Sequence, residues 1–109
     1  MINKYLNKSK LPNLDNCKVA ILGLGYVGLP LAIAIAKKKN CLLTKNKLRR
    51  KVIAYDINKE RVRDLKRGFD KNNIFSKKIL ISTKSLKFTS DIDSLLDIDV
   101  FIVTVPTPI

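Results

Sequence analysis

Val19 to Ala36 read VAILGLGYVGLPLAIAIA, eighteen positions without a charge, set between Lys18 and the run Lys37-Lys38-Lys39. That length reaches the threshold at which an apolar run is read as a membrane-spanning helix. Inside it stands GLGYVG, Gly23 to Gly28, with the spacing G-x-G-x-x-G that lets a backbone turn cradle a dinucleotide's pyrophosphate. The fold of the whole chain depends on which of the two this stretch is.

Membrane helices tolerate glycine and proline, so the glycines and Pro30 decide nothing by themselves. Their neighbours do. Residues 18–22, KVAIL, form a short run with Val and Ile that ends at a glycine, as a buried parallel strand does. From Leu29 to Lys39 good helix formers follow, with Pro30 in the first turn, where its missing N–H costs nothing. The run divides into strand, turn and helix.

The alternation continues. Residues 51–56, KVIAYD, read as a second strand ending on an acid, and Asn58 is placed to cap a helix with Val62 and Leu65 on one face and a stop at Gly68. A weaker third strand fits Leu86 to Thr89. Ser90 to Asp93 make an S-x-x-D capping box for a short helix through Leu95 and Leu96. A fourth strand, Asp99 to Val105, is apolar nearly throughout. Strands alternating with helices predict an α/β fold: a Rossmann-type parallel sheet of about four strands with crossover helices, in the order 3-2-1-4. In that order strand four is an apolar edge, so association is expected. Residues 1–15 are polar and contain a proline, and read as a loose lead-in to a domain over 16–109. Their positive start before an apolar run resembles a signal peptide, but no small-residue cleavage site followed by a disulfide-rich domain appears.

In this context the glycines acquire physical roles. Gly23 permits the tight turn, Gly25 lets the backbone approach the pyrophosphate, and Gly28 lets helix and strand pack closely. The N–H groups of Tyr26 and Val27 are expected to face the phosphates at the positive end of the helix dipole. Asp56 is the expected acceptor for the adenosine ribose hydroxyls, and its charge favours NAD over NADP. It lies 28 residues after Gly28, beyond the usual spacing of about 20. Lys39–Arg50 accounts for the excess as a surface extension before the second strand.

Twenty-two basic against nine acidic residues give a net charge of +13. Such a balance suits a polyanion partner, yet the basic residues are scattered, Trp is absent and no nucleic-acid motif occurs, so it reads as compositional bias. Cys17 and Cys41 form no metal-binding or redox spacing and fit a reducing, cytoplasmic setting. With no His, the commonest general base and metal ligand is missing. No metal site and no membrane span are expected.

GLGYVGLPLA after a strand, then AYDINKERV, LKFTSDID and FIVTVPTPI, resemble in that order the amino-terminal part of the nucleotide-sugar 6-dehydrogenases. The likeness is strongest to the branch acting on UDP-N-acetylhexosamines, in a superfamily that includes the UDP-glucose and GDP-mannose enzymes. It runs from about Lys18 to Ile109 and is weakest over 39–50 and 71–85. It implies an enzyme that oxidises the sugar's C6 hydroxymethyl to a carboxylate with two NAD, as a homo-oligomer. The resemblance matches Tyr26 and Val27 to turn positions at the NAD phosphates, Asp56 to the ribose ligand, Arg61 to a basic position beside that ribose, and Thr107 to a cofactor contact. Read without it, Arg61 is a solvated helix charge. In this family the catalytic Cys and Lys belong to a later domain, and neither Cys17 nor Cys41 matches, so the chain is expected to be inactive alone. The alternatives are the cofactor domain of another, hydroxyacid-type dehydrogenase, and a non-catalytic basic binding module.

Overall fold

A computed structural model describes residues 16–40, 45, 47–48 and 50–104. Four strands, β1 (Lys18–Leu22), β2 (Lys51–Tyr55), β3 (Leu86–Thr89) and β4 (Val100–Val103), form one parallel sheet in the order β3-β2-β1-β4. Helix α1 (Gly28–Lys37) joins β1 to β2; α2 (Lys59–Lys66) and α3 (Lys77–Ser82) lie between β2 and β3; and a 3-10 turn (Ile92–Leu95) precedes β4. The order is the one predicted, and it puts the ends of β1, β2 and β4 side by side.

Register explains which residues make the core. Val19 pairs with Val52 and Val100, Ile21 with Ala54 and Ile102, and Ala54 with Phe88. Side chains alternate across a strand, so these residues share one face. Leu29, Ala32 and Ile33 of α1, Val62 and Leu65 of α2, and Leu80 of α3 close over it. The other face carries Ala20 and Ile53, then Phe101 and Val103 at 50% and 62% exposed.

Local signals set the helix ends. Pro30 sits in the first turn of α1. The Asn58 side chain accepts the Arg61 N–H as the α2 cap, and Gly68, at φ 84°, ends that segment in a backbone region that favours glycine. Two readings need correction. The 3-10 turn is capped by Asp91, whose side chain accepts the Asp93 N–H, because Ser90 stands one residue too early. Helix α3, capped by Ser76, has no counterpart in the expectations from sequence. Of the 39–50 extension, Asn40 bridges to Lys47, Leu48 N–H donates to the Lys39 carbonyl at 2.7 Å, and Leu48 is buried. The expected lead-in over 1–15 and the end of strand four at Val105 lie outside the described residues.

Candidate functional site

The turn after β1 is held by its backbone. Gly23 adopts φ 102°, which a side chain would strain, and its N–H donates to the Tyr55 carbonyl at 2.9 Å. Leu24 N–H then donates to Asp56 Oδ2 at 2.9 Å, and Arg61 Nε donates to the Leu24 carbonyl at 2.9 Å. From the other side, Thr104 Oγ1 lies 2.7 Å from the Gly23 carbonyl and 3.2 Å from that of Leu22, and its single proton serves the nearer. Three successive peptide planes, from Leu22 to Gly25, are thereby fixed.

Gly25 and Gly28 differ in the room around them. A Cβ on Gly28 would stand 1.7 Å from the Gly23 carbonyl oxygen, so only hydrogen lets α1 start against the turn. A Cβ on Gly25 would meet nothing within 4 Å. That open space is compatible with the close approach of a phosphate. Val27, the residue before α1, supplies no capping side chain, and Tyr26 and Val27 are 72% and 66% exposed. Among the described residues no backbone carbonyl takes the N–H of Gly25, Tyr26 or Val27. Donors with no backbone acceptor among the described residues, at the positive end of a ten-residue helix, fit an anion.

Asp56 follows β2 directly, and the 39–50 extension has not displaced it from the turn. Its second oxygen accepts the Asn58 N–H at 2.9 Å. An ionised carboxylate has about four acceptor sites, so two bonds to backbone leave room for ribose hydroxyls. Arg61 is no solvated charge. It is 9% exposed, and besides Leu24 it reaches Asp70 Oδ1 at 2.9 Å. Asp70, with its side chain fully buried, also accepts the N–H groups of Asn72, Ile74 and Phe75. Burial pushes the Asp70 carboxyl up, but the Arg61 guanidinium and those backbone donors outweigh it and hold it below the usual carboxylate range. Arg61 Nη2 is buried with no partner among the described residues.

Gly23, Gly25, Tyr26, Val27, Gly28, Asp56 and Arg61 therefore gather at the carboxyl ends of β1 and β2, the edge where open α/β sheets bind ligands. Thr107 lies outside the described residues. Sequence reasoning missed Thr104, which reaches the Gly23 carbonyl from 81 residues away, and Asp70, which pairs with Arg61. Among the described residues no cluster of three His, Cys, Asp or Glu could hold a metal, and no helix is long and apolar enough to cross a membrane.

The sequence profile of the UDP-glucose/GDP-mannose dehydrogenase family, NAD binding domain, matches residues 17–109. The chain belongs to this family. The dinucleotide for which the turn is shaped is thus NAD. A UDP-N-acetyl-D-glucosamine 6-dehydrogenase of Salmonella typhi is 42% identical over 96 residues, which are 88% of this chain and 20% of that protein. Among solved structures, the UDP-D-ManNAc dehydrogenase of Pyrococcus horikoshii superposes with a TM-score of 0.64 at 32% identity, over 84% of this chain and 20% of that one. The UDP-N-acetyl-mannosamine dehydrogenase of Staphylococcus aureus gives 0.60 at 29% identity, over 84% and 20%. The chain thus spans about a fifth of the length of the relatives it matches. The hydroxyacid-type alternative is not favoured.

Proposed function

We propose that this NAD-binding domain serves a nucleotide-sugar 6-dehydrogenase that oxidises the C6 hydroxymethyl of a UDP-N-acetylhexosamine to a carboxylate. The observation that carries the reading is the 42% identity over 96 residues to a relative named UDP-N-acetyl-D-glucosamine 6-dehydrogenase. Bound NAD supplies the hydride acceptor, one molecule for each of the two oxidation steps. The residues of this chain bind and orient it. Gly25, Tyr26 and Val27 offer N–H groups to the pyrophosphate beside the tight turn at Gly23 and the close helix start at Gly28. Asp56 receives the adenosine ribose hydroxyls and repels a 2′-phosphate. Arg61 shapes the same end of the site, and Thr107 contacts the cofactor from beyond β4. The reading carries with it a cytoplasmic setting, a homo-oligomeric full-length protein and no specific nucleic-acid partner.

The test grafts this chain in place of the equivalent segment of the Salmonella typhi relative and follows NADH formation. UDP-N-acetylglucosamine, UDP-N-acetylmannosamine and UDP-glucose are offered in turn. Turnover with an N-acetylhexosamine nucleotide and NAD is the expected result. A folded graft that binds NAD but oxidises none of the three would count against the reading.

A further inference from the structure

Asp70 touches no part of the dinucleotide turn, yet it is joined to it by a buried chain of contacts. Its Oδ1 holds Arg61 Nη1, and Arg61 Nε holds the carbonyl of Leu24, both at 2.9 Å. In a trans peptide the C=O of one residue and the N–H of the next point in opposite directions. A Leu24 carbonyl drawn inward to Arg61 therefore turns the Gly25 N–H the opposite way, away from the guanidinium. Without Asp70 the guanidinium would keep a buried charge with no carboxylate beside it, and Nη2 is already unpartnered among the described residues.

We propose that Asp70 is a positioning residue for the cofactor: acting through Arg61 and the Leu24 carbonyl, it sets the direction in which Gly25 presents its N–H to the pyrophosphate. This rests on the assignment of the turn to NAD. Asp70 also orders the loop from Asn72 to Phe75, so a loss of stability in a variant is not itself evidence.

The experiment compares the full chain with Asp70→Asn, Asp70→Glu and Ser76→Ala. The last removes the α3 cap a few residues away without touching Arg61. Each is titrated with NAD, ADP and adenosine, while the Gly25 amide is followed in nitrogen–proton correlation spectra. Asp70→Asn is expected to bind NAD and ADP about tenfold more weakly, with adenosine much less affected, since only the first two place a pyrophosphate at the turn. The Gly25 amide should shift on adding ADP to the unaltered chain and shift less in Asp70→Asn. Asp70→Glu should recover part of the affinity, and Ser76→Ala should bind as the unaltered chain does. Unchanged ADP affinity in folded Asp70→Asn overturns the proposal, as does an equal loss for adenosine or for Ser76→Ala. Should Asp70→Asn not fold, Asp70→Glu decides: a loss confined to NAD and ADP supports the role, and none overturns it. Failure of the unaltered chain to bind NAD would overturn the cofactor assignment, and this role with it.

Discussion

Asp56 and Arg61 hold Leu24 from the two ends of its backbone: the carboxylate takes its N–H and the guanidinium its carbonyl, each at 2.9 Å. The Leu24 side chain is meanwhile 1% exposed in the core. Hydrogen bonds to charged groups contribute roughly 1.5–3 kcal/mol each. The turn is thus built before a ligand arrives, which lowers the ordering cost of binding.

Asp56→Ala removes the grip on Leu24 and, on the proposed reading, the ribose acceptor as well. NAD affinity is expected to fall about 10- to 100-fold. NADP loses the turn contribution but is released from charge repulsion, so the preference for NAD narrows. Titration of both cofactors into both proteins, with circular dichroism as a check on folding, measures this. An equal loss for the two would assign Asp56 to the turn alone.

Gly25 and Gly28 should respond in opposite ways to the same added methyl. In Gly28→Ala the Cβ is aimed at backbone oxygen at 1.7 Å, which cannot be relieved by a side-chain rotation. A loss near the upper end of the 1–3 kcal/mol range for overpacking, and a fall in Tm of about 10 °C, are expected. Gly25→Ala meets no atom and has no positive φ to strain, so its Tm should hold while NAD affinity falls at least about tenfold. A thermal melt and a titration on each variant separate the two effects.

The buried Asp70–Arg61 pair fixes a pH dependence. The Asp70 carboxyl lies below its ordinary value of 3.8, so it contributes stability above that pH, and the contribution is lost as pH falls through the lower, folded value. Denaturant melts below pH 4 should show a steep loss in the unaltered chain and a shallower one in Asp70→Asn. Asp97 is also lowered, by its hydrogen bond and charge contact with Lys18, but that pair is at the surface. Exposed pairs contribute little, so Asp97→Asn should leave the acid limb nearly unchanged.

What was legible in the sequence was local. The glycine spacing, the acid after β2, the Asn58 cap and the Gly68 stop each lie within a few residues of the element they define. They located β1, α1, β2 and α2 closely, and the parallel order followed. Without the family resemblance Arg61 reads as a solvated helix charge, because its two partners, Leu24 and Asp70, stand 37 and 9 residues away. No helical periodicity reveals a contact of that kind. Asp70 itself sits in FDKNN, where an acid reads as a loop residue. Thr104 is one more β-branched position at the end of an apolar strand until the sheet brings it to Gly23. Helix α3 is six residues long, too short for its apolar pattern to stand out from the lysines around it.

Phe101 and Val103 have a practical consequence for anyone who handles this protein. They point from β4 to the thinly covered face of the sheet, with Leu96 84% exposed on the approach to that strand. A fluorescent dye that reports on apolar surface will bind these side chains while every strand is still paired. Dye-based melting curves should start bright and show a small, early or inverted transition, whereas circular dichroism on the same sample shows a full one. Judged by the dye alone, a well-folded preparation would be discarded as partly unfolded.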